Sequence, residues 1–205
     1  MANDIDGAPV ARHGRGRRPA DEVRADVLHT VGDLLLRRGL TGLTFECVAR
    51  ESGVSKTTLY KWWPSLGALA LDGYFHGVQD TLAFPDTGDV RADVTTQLHQ
   101  FLGLMTTTPA GRLLAELIGR SQTDPDLARE YRRLYSSGRR QLAADRFRIA
   151  QRAGQIRSEI DVRVVIDQLW GAMYHRLLVP DEPVNADFVD ALIENVFAGI
   201  TPARP

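Results

Sequence analysis

Thr44-Phe-Glu-Cys-Val-Ala-Arg-Glu-Ser-Gly-Val-Ser-Lys-Thr-Thr-Leu-Tyr-Lys-Trp-Trp-Pro-Ser65 reads as two short helices around a tight turn. Thr44 and Ser55 are hydroxyl N-caps, Gly53 supplies the backbone freedom for the turn, and Pro64 ends the second helix. In that second helix Leu59 faces inward toward Val48 and Ala49. Lys56, Thr57 and Thr58 are left on the leading edge, with Tyr60, Lys61 and one of the two tryptophans on the flank. Such an edge suits a DNA major groove: a lysine meets guanine or phosphate, and a threonine methyl meets thymine. We place Trp63 in the core and Trp62 nearer the phosphates. Both lysines of the chain fall in this helix.

The surrounding charge agrees. The whole 205-residue chain carries a net charge of −1, but residues 10–65 hold ten strong cations against six anions. A polyanion feels this local excess, within a Debye length of roughly 8–10 Å. Residues 1–20 read as a flexible basic arm carrying Arg12, Arg15, Arg17 and Arg18. The N-terminus lacks the apolar segment of a secretory signal, and no apolar run is long enough to span a membrane. Cys47 is the single cysteine, which excludes an internal disulfide and suits a reducing cytoplasm; it reads as a small apolar residue of the first short helix.

The rest of the pattern is helical. Val23, Val27, Val31, Leu34 and Leu35 trace one face of a helix that Gly39 stops. After the short pair, Ser65 caps a helix finishing near Pro85. Five more follow: Asp89–Thr107, Ala110–Ser121, Asp124–Ala153, Val162–Val179 and Ala186–Ile200. The reading is all-α with about nine helices. A basic arm (1–20) leads to a three-helix, helix-turn-helix DNA-binding domain (21–66), then to a helical ligand-binding and dimerisation domain (67–205).

The quoted stretch resembles the DNA-binding domain of TetR-type transcriptional regulators, in spacing from the first short helix to the start of the next long one. The Gly-Val-Ser-Lys turn, Leu-Tyr pair, aromatic and Pro-Ser ending carry the resemblance. It implies a homodimeric, ligand-responsive repressor that binds a palindromic double-stranded operator and sits in the cytoplasm with the nucleoid. It also implies that positions matching Thr44, Ser55, Lys56, Thr57, Thr58, Tyr60 and Trp62 face the DNA. The family often has a lysine where this chain has Leu66-Gly67. We expect the four arginines of the arm to compensate by entering the minor groove.

Beyond Pro85 the resemblance is weaker and rests on Trp170-Gly-Ala-Met-Tyr-His-Arg-Leu-Leu-Val179 and the last helix. It implies a four-helix bundle with a second subunit, for which the apolar stripes offer Val165, Leu169, Leu177, Phe188, Leu192 and Val196. Large side chains on the middle helices are candidates to line a pocket for an apolar or aromatic effector: Phe101, Met105, Leu117, Tyr131, Tyr135, Trp170, Met173 and Tyr174. Large side chains at such helical spacing are most often simply core, so each reads first as core and second as pocket wall. Nine arginines between Arg129 and Arg157 face only Glu130 and Asp145 in that stretch. They suit a solvated face paired with acids such as Asp167, Asp187, Asp190 and Glu194, an anionic-effector site, or a second DNA surface.

An enzyme is not expected. The five histidines (His13, His29, His76, His99, His175) show no metal-ligand spacing, and no nucleophile elbow or phosphate loop is present, so no cofactor or metal is expected either. An all-α carrier or scaffold is the remaining rival, and it leaves the basic arm and the hydroxyl-edged helix without a purpose.

Overall fold

A computed structural model describes residues 18–79, 81–179 and 181–202, and among these every regular element is a helix. In chain order they are α1 (Ala20–Arg38), α2 (Phe45–Ser52), α3 (Lys56–Trp62), α4 (Leu66–Val78), α5 (Val90–Thr107) and α6 (Ala110–Ser121). Then come α7 (Pro125–Tyr131), a π-helical segment (Arg132–Ser136), α8 (Ser137–Arg152), α9 (Val162–Leu178) and α10 (Ala186–Ile200). Because α7, the π segment and α8 follow without a gap, the expected Asp124–Ala153 helix exists as one rod with a bulge in it, giving nine helical rods.

The starts are set by side chains that accept orphan backbone N–H groups. Thr44 Oγ1 accepts from the Cys47 amide, Ser55 Oγ from Thr58 and Ser65 Oγ from Ala68, at 3.1, 3.2 and 3.1 Å. Asp89, Asp124, Asp161 and Asn185 do the same for α5, α7, α9 and α10. Gly39 (φ 69°) and Gly53 (φ 71°) close α1 and α2 in the left-handed region that L-residues avoid.

The expected face of α1 is the one that packs: Val27, Val31, Leu34 and Leu35 are buried. They meet α4 where Gly73 lets the helices approach. A Cβ built there would lie 2.4 Å from Val31 Cγ1. One continuous apolar core then runs from α1 to Ile200 at the end of α10.

One expectation needs correction. The helix capped by Ser65 ends at Val78, well before Pro85. The chain beyond it turns so that Leu82 is buried and its carbonyl accepts from Gln97 Nε2 at 3.2 Å and from Arg139. Those bonds tie the segment that follows α4 to α5 and α8. Position 67 also has a structural use: a Cβ on Gly67 would come within 2.9 Å of Leu127 Cδ1, so a glycine brings the start of α4 against α7.

Candidate nucleic-acid interface and effector cavity

The α2–Gly53–α3 unit rests on Leu59 and Trp63, both buried. Trp63 is fixed further. Its indole Nε1 donates to Asp72 Oδ2 at 2.8 Å, Arg24 donates to the same oxygen at 2.7 Å, and the Arg24 guanidinium lies 5.2 Å from the Trp63 ring centre. The end of α3 is thereby tied to α4 and α1 through one carboxylate.

On the outer side, Lys56, Thr57, Tyr60 and Lys61 are all exposed, on one face of α3. Tyr60 packs its ring on Phe45, centroids 4.2 Å apart, and is 55% exposed. The remaining expected residues sit around this face with other tasks as well. The Thr44 hydroxyl caps α2, and Ser55 and Thr58 bond each other at 3.0 Å. Trp62 is half-buried, edge-on to Trp63. Of the arm, Arg12, Arg15 and Arg17 lie outside the described residues. Arg18 is at the start of α1, 2.7 Å from Asp26.

Two features here were not read from the sequence. Lys56 Nζ lies 2.9 Å from Glu46 Oε1. That hydrogen bond holds the Glu46 carboxyl below its ordinary range and the Lys56 ammonium above its own. Cys47 is buried as expected, yet it is more than an apolar filler: Arg38 and Arg50 donate to its sulfur at 3.1 and 3.3 Å. The i, i+10 spacing of Glu46 and Lys56 carries no helical signal, since the pair forms only once the turn folds.

Away from this face, a cavity of about 150 Å³ opens between α5, the π segment, α8 and α9. Five of the eight pocket candidates line it: Phe101, Tyr131, Tyr135, Trp170 and Tyr174. Met105, Leu117 and Met173 do not. They are buried in the continuous core, where their helical spacing had equally allowed them. The structure adds Leu82, Phe84, Gln97, Arg139, Leu142 and Ile166 to the lining, the first two from the segment that a longer α4 would have absorbed. Tyr135 and Tyr174 hydroxyls are 3.0 Å apart, and Trp170 Nε1 donates to Gln97 Oε1 at 3.2 Å.

The expected dimer stripe is partly turned inward. Leu169 and Val165 are 0% and 3% exposed within the single chain and Val196 is also buried, yet Val165 and Val196 also line the open groove between α9 and α10. Leu177, Phe188 and Leu192 are half-buried. The solvent-facing row of α9 is Val164, Gln168, Gly171, His175 and Leu178, one step around the helix from the row we expected. With Leu192, Asn195 and Gly199 of α10, Val164 and Gln168 border an open groove.

The arginine run resolves chiefly into pairs. Arg129, Arg133, Arg140, Arg148 and Arg157 face Asp126, Glu130, Asp167, Asp145 and Glu159. Arg146 is buried against Asp93 and also reaches Asp86. Burial works to raise the Asp93 carboxyl, but its bonds to Thr87 and Arg146 prevail and hold it below the usual range. Of the four acids named as partners from the last helices, Asp167 alone is used by this run. Glu194 and Asp190 pair instead with Arg91 and His99 of α5.

Among the described residues there is no group of three metal-ligating side chains, and no helix is long and apolar enough to cross a membrane. A hydroxyl- and lysine-edged helix-turn-helix joined to a helical body with an aromatic cavity defines a one-component helix-turn-helix regulator. Comparison with known proteins specifies it. Residues 84–196 match the family model described as tetracyclin repressor-like, C-terminal domain. The chain is 35% identical over 184 residues to the uncharacterized HTH-type transcriptional regulator YdeS of Bacillus subtilis (strain 168), covering 89% of this chain and 92% of that one. The crystal structure of the TetR family transcription regulator SCO0332 is similar at 67% identity and a TM-score of 0.83, over 88% of this chain and 100% of that chain. The fold alone is shared with the transcriptional regulator FadR from Bacillus subtilis in complex with stearoyl-CoA (12% identity, TM-score 0.63, covering 85% and 98%). The chain belongs to the TetR family of transcriptional regulators, which are not enzymes.

Proposed function

We propose that this regulator is a repressor. It binds a palindromic operator as a homodimer through α3 and is released when a small, largely apolar effector fills the aromatic cavity. The observation that carries this is the exposed row Lys56, Thr57, Tyr60 and Lys61 on a helix whose other side is buried, with a separate aromatic cavity in the same chain. One such helix reads few bases; two held about 34–36 Å apart read both halves of a palindrome. The solvent-facing rows of α9 and α10 are the surface for the second copy.

The division into a reading head (21–66) and an effector body (67–205) follows, with α4 as the link between them. Asp72 ties that link to α3, and Phe75 ties it to the cavity wall through Tyr135. An effector that displaces Tyr135 would tilt α4 and change the separation of the two reading helices. Coupling is reciprocal: operator must weaken effector binding by the factor with which effector weakens operator binding. A likeness in fold to a regulator seen with an acyl-CoA supports a ligand-binding body without naming the ligand.

Fluorescence anisotropy of the full-length protein on DNA flanking its own gene, with unrelated DNA of equal length as control, tests the reading. Tight binding to the flanking DNA is expected, with log K falling steeply against log salt for both. Equal affinity for both DNAs would contradict it.

A further inference from the structure

Several acceptors of the cavity wall are already engaged. Leu82 O is already taken by Gln97 Nε2 and by Arg139, and Gln97 Oε1 by Trp170. Tyr135 and Tyr174 share one hydrogen bond between their two hydroxyls, so one proton of the pair is left over. The Tyr74 hydroxyl, outside the cavity lining, is buried with no hydrogen-bond partner among the described residues.

Arg139 supplies the charge. The neighbouring Arg140 also lines the cavity but is matched by Asp167 on the same wall. No carboxylate of the described residues pairs with Arg139, whose contacts are the Leu82 carbonyl and the Tyr135 ring, 5.5 Å from its guanidinium. Burial pulls that guanidinium below its ordinary value, the mark of a cation held out of water without full compensation. Phe84, Phe101, Ile166 and Trp170 give the cavity an apolar part of its lining.

We propose that the effector is a monocarboxylate with an apolar or aromatic body. Its carboxylate is taken by the Arg139 fork and a tyrosine hydroxyl, and its body lies among Phe84, Phe101, Ile166 and Trp170. This rests on the reading of the cavity as the effector site. One positive charge unmatched among the described residues calls for one negative charge, which favours a carboxylate over a doubly charged phosphate. The same fork now holds Leu82 O, so a carboxylate would compete for the bond that shapes the segment following α4.

Isothermal titration of the full-length protein with 2-naphthoate and decanoate, each against its uncharged amide, provides the test. The acid of at least one pair should bind about tenfold or more tightly than its amide, and Arg139→Gln should abolish that preference while leaving amide binding within about threefold. Arg139→Lys, which keeps the charge without the fork, should recover part of the preference. Acid and amide binding equally, or a preference that survives Arg139→Gln, would overturn the carboxylate assignment alone. Failure of all four probes on a folded protein would overturn the cavity as a ligand site, and the assignment with it.

Discussion

The Phe75 and Tyr135 rings are stacked, with centroids 3.9 Å apart and planes 7° from parallel. Phe75 belongs to α4 and Tyr135 to the π-helical segment, so the contact joins the link helix to the cavity wall. A π bulge places one extra residue in a turn and is a common feature of functional sites. Here it is the segment that carries Tyr135 to the cavity.

If the stack is a specific contact, Phe75→Leu and Tyr135→Leu should not add. A double-mutant cycle by urea denaturation is expected to give a coupling of about 0.5–1.5 kcal/mol, the surplus of an aromatic pair over simple burial. A coupling near zero would mean that α4 and the cavity wall merely adjoin.

Much of this arrangement was readable in the sequence because its causes are local. Hydroxyl and carboxylate caps, stop glycines and 3.6-residue periodicity located the helical rods, and Trp63 and Leu59 face inward as their spacing required. What escaped depends on distant partners. The early end of α4 is accompanied by bonds from Gln97 and Arg139 to Leu82 O, and which of the nine arginines reach the cavity depends on how distant helices pack around it. On α9 the stripe was wide enough to fit either row outward, and packing against α10 and the rest of the core turned Leu169 in and Val164 out. Periodicity fixes a face only to within a residue or so when both neighbours are apolar.

Gly73→Ala tests the α1–α4 contact. Alanine favours a helix interior by roughly 1 kcal/mol over glycine. Against this, the new Cβ would lie 2.4 Å from Val31 Cγ1 and 2.7 Å from its Cβ, and a β-branched side chain has little room to turn. Net destabilisation of about 1–3 kcal/mol is expected from chemical denaturation. An unchanged or raised midpoint would show that the helices separate freely.

Asp93 and Arg146 form the buried ion pair of the body, and removing one partner strands the other. Arg146→Leu should cost about 3–5 kcal/mol. Because the folded Asp93 carboxyl is held low, its contribution is fully present above the unfolded value of about pH 4 and is lost as pH falls through the folded value. Asp93→Asn should therefore flatten the stability profile on the acid side of pH 4. The comparison is between acid-unfolding curves of the variant and the parent protein.

On the reading helix, an exposed phenol suits a phosphate oxygen better than a base edge, so Tyr60→Phe should weaken binding to all DNA sequences alike. Thr57→Ala should instead change the preferred base at one operator position. Affinities across a set of single-base operator variants separate the two outcomes. A uniform loss from both substitutions would remove the base-reading role given to Thr57.

Glu46 and Lys56 make the sharpest test of that face, since their pair must break or rearrange when DNA arrives. In the free protein the Glu46 carboxylate occupies the Lys56 ammonium at 2.9 Å, and both side chains are more than half exposed. A groove brings phosphates close to that carboxylate, which like charge disfavours. If Glu46 only holds Lys56 back, Glu46→Gln should raise affinity for specific and unrelated DNA together by about tenfold, with a steeper salt dependence, because one anion is gone and one cation freed. If Glu46 aims Lys56 at a base edge, the same substitution should raise affinity for unrelated DNA but lower the ratio between operator and unrelated DNA. Thermal stability should not move in either case, because the pair is exposed. The two outcomes distinguish a restraint on Lys56 from a guide for it, and loss of affinity for both DNAs would contradict each.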